Sequence, residues 1–219
     1  MRTWLLVAAE AREFSGILKR LGPAARFNWS GAKFAREVSR DGDRWLLVAN
    51  GAGSRSIEEA LRQKMEVSGI INTGFCGALD PSLRIGDIVV WGEVPCSAGF
   101  IRGEISSSDR VVVTAEEKHR LREKTGAIAA EMEAGAVKKI AGDWKVPFYC
   151  VRAVSDTANE DMPLDFNLYR DRAGRFSLPR IALAAMSRPF TRIPALRRLE
   201  ANCNVASESL GAFFADCRF

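Results

Sequence analysis

The chain has 219 residues, 47% hydrophobic and 27% charged, enough for one sizeable α/β domain with a full core. No apolar run approaches a membrane-spanning length, and the six residues Trp4–Ala9 before Glu10 are too few for a signal-peptide core. The net charge of +5 lies wholly in the tail: residues 1–165 balance 23 basic against 23 acidic side chains, whereas 166–219 carry nine arginines, no lysine and four acids. Five cysteines at 76, 96, 150, 203 and 217 form no Cys-x-x-Cys pair, and His119 is the one histidine. Neither a metal site nor a disulfide framework is expected, and a reducing cytoplasm is the expected compartment.

Trp4–Ala9 reads as a first strand, followed by a helix from Ala11 to Leu21. Arg44–Ala49 is a second strand that ends in Asn50-Gly51-Ala52-Gly53-Ser54, with a helix from Ser56 to Glu66 behind it. Gly69–Thr73 is an apolar strand running into Gly74-Phe75-Cys76-Gly77, and Ile88–Trp91 and Val111–Val113 add β-branched runs. Glu116–Glu123 is a polar helix, the spacing of small and apolar residues predicts a helix over Ile128–Gly142, and Phe148–Val154 is the last strand. Strands alternating with helices predict an α/β layered domain with a largely parallel sheet. From Phe166 the texture changes: Asp171–Arg175 is a polar turn, and Leu178–Met186 and Ile193–Leu210 read as helices separated at Pro189. Residues 1–165 are therefore expected to form the domain that carries a site, with 166–219 as an arginine-rich helical extension of the same domain.

Two acidic motifs stand out. Glu131-Met132-Glu133 lies in the predicted 128–142 helix, and Ser155-Asp156 sits where the Phe148–Val154 strand runs out. Carboxylates on a helix and at the carboxyl end of a strand can converge on one crevice, where open α/β sheets place their ligands. Two carboxylates in one apolar crevice can take different protonation states, as acid–base chemistry requires; equally, acids at these places serve as solvated helix caps. Gly51-Ala52-Gly53-Ser54-Arg55-Ser56 follows a strand and precedes a helix, the setting of an anion-cradling loop through Gly53, Ser54 and Arg55. Its third glycine position holds Ser56, and no Gly-Lys-Ser/Thr is present, so neither a dinucleotide nor a Walker fingerprint is met. Gly74–Gly77 is a second loop of close approach at a strand end.

The run from Ile71 to Val90, Ile-Asn-Thr-Gly-Phe-Cys-Gly-Ala-Leu-Asp-Pro-Ser-Leu-Arg-Ile-Gly-Asp-Ile-Val-Val, resembles the central signature of the purine nucleoside phosphorylase and methylthioadenosine/S-adenosylhomocysteine nucleosidase superfamily. Glu131-Met132-Glu133-Ala134 resembles its ribose-binding motif, and Val151-Arg152-Ala153-Val154-Ser155-Asp156-Thr157-Ala158 its base-protonating motif. The three stand in the family's order over residues 1–160. The resemblance implies a three-layer α/β/α sandwich around a mixed, partly barrel-like sheet, an N-glycosidic bond of a purine nucleoside as the target, no cofactor, and a homo-oligomer.

The same resemblance assigns roles. Asp156 matches the acid that serves N7 of the leaving purine, with Ser155 beside it. Glu133 matches the carboxylate that holds the ribose hydroxyls, Met132 packs on the sugar, and Glu131 belongs to the same motif. Val111 and Val112 fall on the strand that offers backbone groups to adenine; the aromatic often found there is absent, and Phe75 is its candidate substitute. Glu13 fits the water-activating carboxylate after strand one, with Glu10 as the alternative.

Phosphorolysis needs arginine and hydroxyl donors for a phosphate dianion. The places that hold them in the hexameric phosphorylases, before and within the Gly74 loop, are here Asn72 and Phe75, which favours water; Arg55 is left as a candidate anion ligand. The tail, with Asp171–Arg175, Ser187-Arg188-Pro189 and Ile193–Leu199, resembles the C-terminus of hopanoid-associated nucleosidases, which release adenine from adenosylhopane. Arginine-rich helices with Leu, Ile and Phe on the other face suit an anionic membrane surface, although covering the core or a dimer contact would use the same residues. No nucleic-acid partner is expected, because the tail's aromatics are not interleaved as a stacking platform. The expected activity is hydrolysis of a 5′-substituted adenine nucleoside; the alternatives are a phosphorylase and a non-catalytic nucleoside binder.

Overall fold

A computed structural model describes residues 1–96, 98–171 and 176–219. Most of the polar turn read at 171–175 thus lies outside the described residues. The chain opens with β1 (Thr3–Ala8), a 3₁₀ turn (Ala11–Phe14), α1 (Ser15–Leu21), β2 (Ala25–Arg26), β3 (Phe34–Arg40) and β4 (Asp43–Ala49). There follow α2 (Ser54–Ala60), β5 (Gly69–Ala78), β6 (Ile88–Trp91), β7 (Ile101–Arg102), β8 (Ile105–Ser107) and α3 (Ala115–Thr125). β9 (Ala129–Glu131), α4 (Ala134–Trp144), β10 (Phe148–Asp156), a second 3₁₀ turn (Phe166–Tyr169), α5 (Leu178–Met186) and α6 (Pro189–Asp216) complete it.

The strands form one mixed sheet in the order β2-β3-β4-β1-β5-β10-β6-β7. Its centre, β4-β1-β5-β10, is parallel, while β3 runs antiparallel to β4 and β6 antiparallel to β10. β1 explains the layering. Trp4, Leu6 and Ala8 face α1 and α6 with Phe14, Ile17, Phe213 and Phe214. Leu5 and Val7 face α2 and α4 with Ile57, Val137 and Trp144. A strand covered on both faces reads as an unbroken apolar run, as Trp4–Ala9 does. β5 pairs with β1 only over Gly69–Asn72, and its far end turns to pair with β9 at Gly77 and Ala78. This bend curls the sheet partly towards a barrel and opens a crevice beside the ends of β1, β5 and β10.

Several expectations from the sequence change in the fold. Gly74–Gly77 is no loop but the second half of β5, held by β10 on one side. The helix read over 128–142 divides: Ala129–Glu131 is a strand paired with β5 and β8, and α4 starts only at Ala134. Small residues look alike in a helix and in a short buried strand, and pairing decides. Val111–Val113 forms no strand, and the helix expected over Ser56–Glu66 is α2, which stops at Ala60. The helix read at Ile193–Leu210 runs from Pro189, at its first turn, to Asp216, with Pro194 inside it. Cys96 and Cys217 form a disulfide across a Cα separation of 4.7 Å, against the expectation of none. Spacing in sequence could not show that the loop after β6 meets the end of α6, and the cysteine pattern no longer argues for a reducing compartment. Among the described residues no helix is long and apolar enough to cross a membrane.

Candidate active site

A cavity of about 600 Å³ opens at the carboxyl ends of β1, β5 and β10 and is roofed by α5 and α6. Glu10, Glu13, Phe75, Val111, Val112, Glu131, Met132, Glu133, Ser155 and Asp156 all line it, although they come from places up to 146 residues apart (Glu10 to Asp156). The carboxylates lie towards its floor. Apolar groups of the tail, Leu178, Ile181, Leu196 and Leu199 with Phe166 and Phe176, line it as well.

Glu13 reaches the cavity from the 3₁₀ turn after β1. Its Oε2 accepts the Glu10 N–H at 2.7 Å, which caps the turn, and its Oε1 accepts the Phe75 N–H at 2.7 Å. Glu13 is buried, and burial raises its proton affinity, with Arg152 opposing. The Phe75 contact depends on Gly74, whose φ of +135° is one a side chain resists. A Cβ there would collide with Glu13 Oε1 and lie 2.9 Å from Arg152 Nη1.

Arg152 is not singled out by the sequence, yet the site is built around it. It points from β10 into the floor, fully buried, and its Nη2 donates to Glu131 Oε2 and Asn72 Oδ1 and, at 3.2 Å, to Glu133 Oε2. Burial works against its charge, but Glu131, Glu133 and Glu13 outweigh it and raise its affinity for the proton. One guanidinium cannot offset three carboxylates in a dry floor. Glu133 is accordingly pushed up to about 7, first by burial and then by its acidic neighbours, with Arg152 opposing. The only hint of Arg152 in the sequence is a charge inside the apolar run Val151–Val154.

Glu131 and Glu133 do different things. Glu131 Oε2 accepts the N–H groups of Glu133 and Ala134 at 2.7 and 2.8 Å and fixes the start of α4. Glu133 Oε1 accepts the Gly53 N–H at 2.7 Å. The glycine-rich loop therefore uses its amide to hold a carboxylate, which overturns its reading as an anion cradle. Ser54 is bonded to Asp109, and Ala52, not Gly53, Ser54 or Arg55, lines the cavity. Asn72, expected at the substrate, is fully buried behind Arg152, where Nδ2 donates to the Val7 carbonyl at 3.3 Å. Val111, expected to offer its backbone to adenine, gives its N–H to Asn167 Oδ1 at 2.8 Å, and its carbonyl accepts from Asn167 Nδ2 at 2.9 Å.

Asp156 was expected in apolar surroundings. Instead its Oδ1 lies 2.6 Å from Lys118 Nζ, a buried ammonium on α3, the helix whose sequence reads as polar throughout. Oδ2 accepts from the Ser155 hydroxyl at 3.0 Å. A Cβ at Gly77 would lie 2.8 Å from Oδ1, so β5 needs glycine to let the carboxylate into the cavity. One cavity thus brings together a buried acid–arginine cluster and a lysine-held carboxylate, groups suited to acid–base work on one small molecule.

Residues 96–180 match the family model described as Phosphorylase superfamily. The chain is 30% identical over 176 residues to the 5′-methylthioadenosine/S-adenosylhomocysteine nucleosidase of Shewanella denitrificans, covering 60% of this chain and 76% of that protein. Its fold is shared with the native futalosine hydrolase of Helicobacter pylori (TM-score 0.70, 17% identity, 98% of this chain and 96% of that one). It is shared as well with the Neisseria meningitidis 5′-methylthioadenosine/S-adenosylhomocysteine nucleosidase in complex with methylthio-immucillin-A (TM-score 0.63, 20% identity, 97% and 100%). With its mixed sheet, its glycine-bearing β5 and a relative of this identity over most of that relative's length, the chain belongs to the phosphorylase superfamily.

Proposed function

We propose that this protein is a purine nucleoside N-ribosyl hydrolase that cleaves a 5′-substituted adenine nucleoside with water. The observation that carries the choice of water is the state of Arg152. Its guanidinium is bonded to Glu131, Glu133 and Asn72, and Glu13 stands beside it at Gly74. A phosphate dianion at this floor would meet three carboxylates, whereas a water molecule meets acceptors. Arg12 and Arg110 also line the cavity, but Arg12 pairs with Glu10 at 2.8 Å and Arg110 with Glu117 at 2.7 Å.

In this reading Glu133 Oε2 and Met132 hold the ribose. The C1′–N9 bond lengthens first, leaving an oxocarbenium-like sugar, and its electron pair passes into the purine, where N7 takes a proton from solvent and the Asp156 carboxylate accepts the new N7–H. Glu13 takes the proton of the water whose oxygen bonds to C1′. A base works best when its proton affinity lies near the working pH, and burial moves Glu13 that way. Adenine release is tested with and without phosphate, with chromatography of the sugar. Free ribosyl product, independent of phosphate and lost in Asp156→Asn, is expected; a ribose 1-phosphate product overturns the reading.

The 5′ substituent in this proposal is large and apolar, of the adenosylhopane kind implied by the tail's resemblance. Support comes from Leu178, Ile181, Leu196 and Leu199 on the cavity wall and from the surface that continues it. Leu178, Leu183, Met186 and Phe190 are 62–93% exposed on α5 and the start of α6, among exposed Arg180, Arg188, Arg197 and Arg198. Apolar groups ringed by arginine match an anionic membrane face, so residues 166–219 act as a peripheral membrane-contacting extension of the catalytic unit. Flotation with phosphatidylglycerol vesicles, reduced in Leu183→Asp/Phe190→Asp, is the expected result; no flotation of the unaltered protein refutes this part. Self-association is part of the reading on the family resemblance, and sedimentation of the full chain tests it.

A further inference from the structure

We propose that Lys118 is a positioning residue that fixes Asp156 for its work at the base, an inference that rests on the hydrolase reading above. Three observations carry it. Lys118 is 1% exposed, and a lysine is seldom buried unless its ammonium is fully used. Its Nζ has three good acceptors: Asp156 Oδ1 at 2.6 Å, the Thr157 carbonyl at 2.6 Å and the Glu160 carbonyl at 3.0 Å. An ammonium has three donors, and all three are used within one residue run, 156–160. The side chain also reaches the cavity wall.

The arrangement has a consequence for geometry. Ser155 Oγ and Lys118 Nζ hold the two oxygens of Asp156 from different elements, β10 and α3, while the Gly77 backbone packs against the carboxylate on the third side. The side chain is left one orientation. α3 is itself fixed at its start, where Thr114 Oγ1 accepts the Glu117 N–H at 3.1 Å, so the ammonium is delivered from a capped helix and not from a loose surface chain. Asp156 then meets N7 without first losing the entropy of choosing a rotamer.

Two measurements test this. The first compares a 5′-substituted adenosine with its N7-methylated cation, which sheds its base without a proton at N7 because the C1′–N9 electron pair neutralises the imidazolium. Lys118→Met should lose on the order of 100-fold in kcat on the neutral nucleoside and less than about threefold on the methylated one, with Lys118→Arg recovering part of the loss. Equal losses on both substrates would mean a merely structural lysine and overturn the proposal. The second measures adenine affinity by calorimetry in the unaltered protein, Lys118→Met, Asp156→Asn and the double variant, in which no buried charge is left unpaired. The single changes should each weaken adenine by about tenfold and the double variant by no more than either; additive losses, or no loss in Lys118→Met, overturn it. Adenine binding does not require turnover, so a protein that binds adenine but releases none would sink the hydrolase reading and still decide the role of Lys118.

Discussion

Replacing Arg152 by methionine keeps most of the side-chain volume and removes the charge around which the floor is built. Removing one partner of a buried ion pair costs about 3–5 kcal/mol, which at about 2–4 °C per kcal/mol for a chain of this size lowers Tm by about 6–20 °C at pH 8. The pH dependence makes the prediction sharp. Glu133 holds its proton to about 7 in the fold against 4.5 ordinarily. A carboxyl raised in this way favours the fold below pH 4.5, and that contribution is lost as pH climbs through about 7. Glu13 is displaced in the same direction by burial. In the variant both acids lose the guanidinium that opposed their burial, and both keep their protons to still higher pH. Towards pH 5 Glu133 carries its proton in both proteins and the missing cation is felt little; above about 7 it ionises in the unaltered protein, whereas the variant has to hold the proton or bury the charge unpaired. The lost bonds to Glu131 and Asn72 persist throughout, so the Tm gap narrows towards pH 5 without closing. Thermal unfolding of both proteins by circular dichroism at pH 5, 6.5 and 8 reads it directly. A gap that stays constant across the three would refute the idea that Arg152 offsets the ionisation of Glu13 and Glu133.

Other consequences can be checked in the same proteins. Gly74→Ala drives a Cβ into Glu13 and Arg152 at a positive φ; it should lower kcat by about 100-fold and destabilise by about 1–3 kcal/mol, read from initial rates and Tm. Glu13→Gln should remove hydrolysis while leaving nucleoside binding within about threefold, since the amide keeps an acceptor for Phe75, and equilibrium dialysis against steady-state rates separates the two. Because burial raises Glu13 and the base form is the active one, the acid limb of kcat/KM should lie above the ordinary carboxylate range, with activity rising as pH rises through it; a limb near pH 4 would exclude Glu13 as that base.

Much of the architecture is legible in the sequence because it follows from local chemistry. β1, β4 and β10 are apolar runs buried on both faces, and the acids at their ends mark the crevice. β3 escapes because Arg36, Glu37 and Arg40 interrupt the apolar pattern of Phe34–Arg40 on a half-exposed strand, although its turn carries a signal: Asp41 and Gly42 have φ of +51° and +81°, the hairpin geometry that Asp-Gly favours. The site's acids are visible as motifs, but what holds them is not. Arg152 sits inside a strand whose neighbours are apolar, and Lys118 lies on a helix otherwise rich in charge. Only the packing of α3 against the loop after β10 turns that lysine inward. The Gly53 loop misleads for a related reason, since an anion-binding amide and a carboxylate-holding amide have the same sequence.

The aromatic cluster beneath β1 has a bearing on how the protein is made. Phe219 stacks its edge against Trp4, Trp45 and Tyr149 at 5.9, 6.1 and 5.4 Å between ring centroids, and Phe213 and Phe214 lie in the same cluster. Strands translated first are therefore covered by residues translated some two hundred positions later. A nascent chain carries that bare aromatic face on the ribosome until residues 213–219 have emerged, which makes it a natural client for a holding chaperone. A stop codon within α6 would yield a sticky, degradation-prone fragment, since it removes Phe213, Phe214 and Phe219 from over the aromatic face of the core.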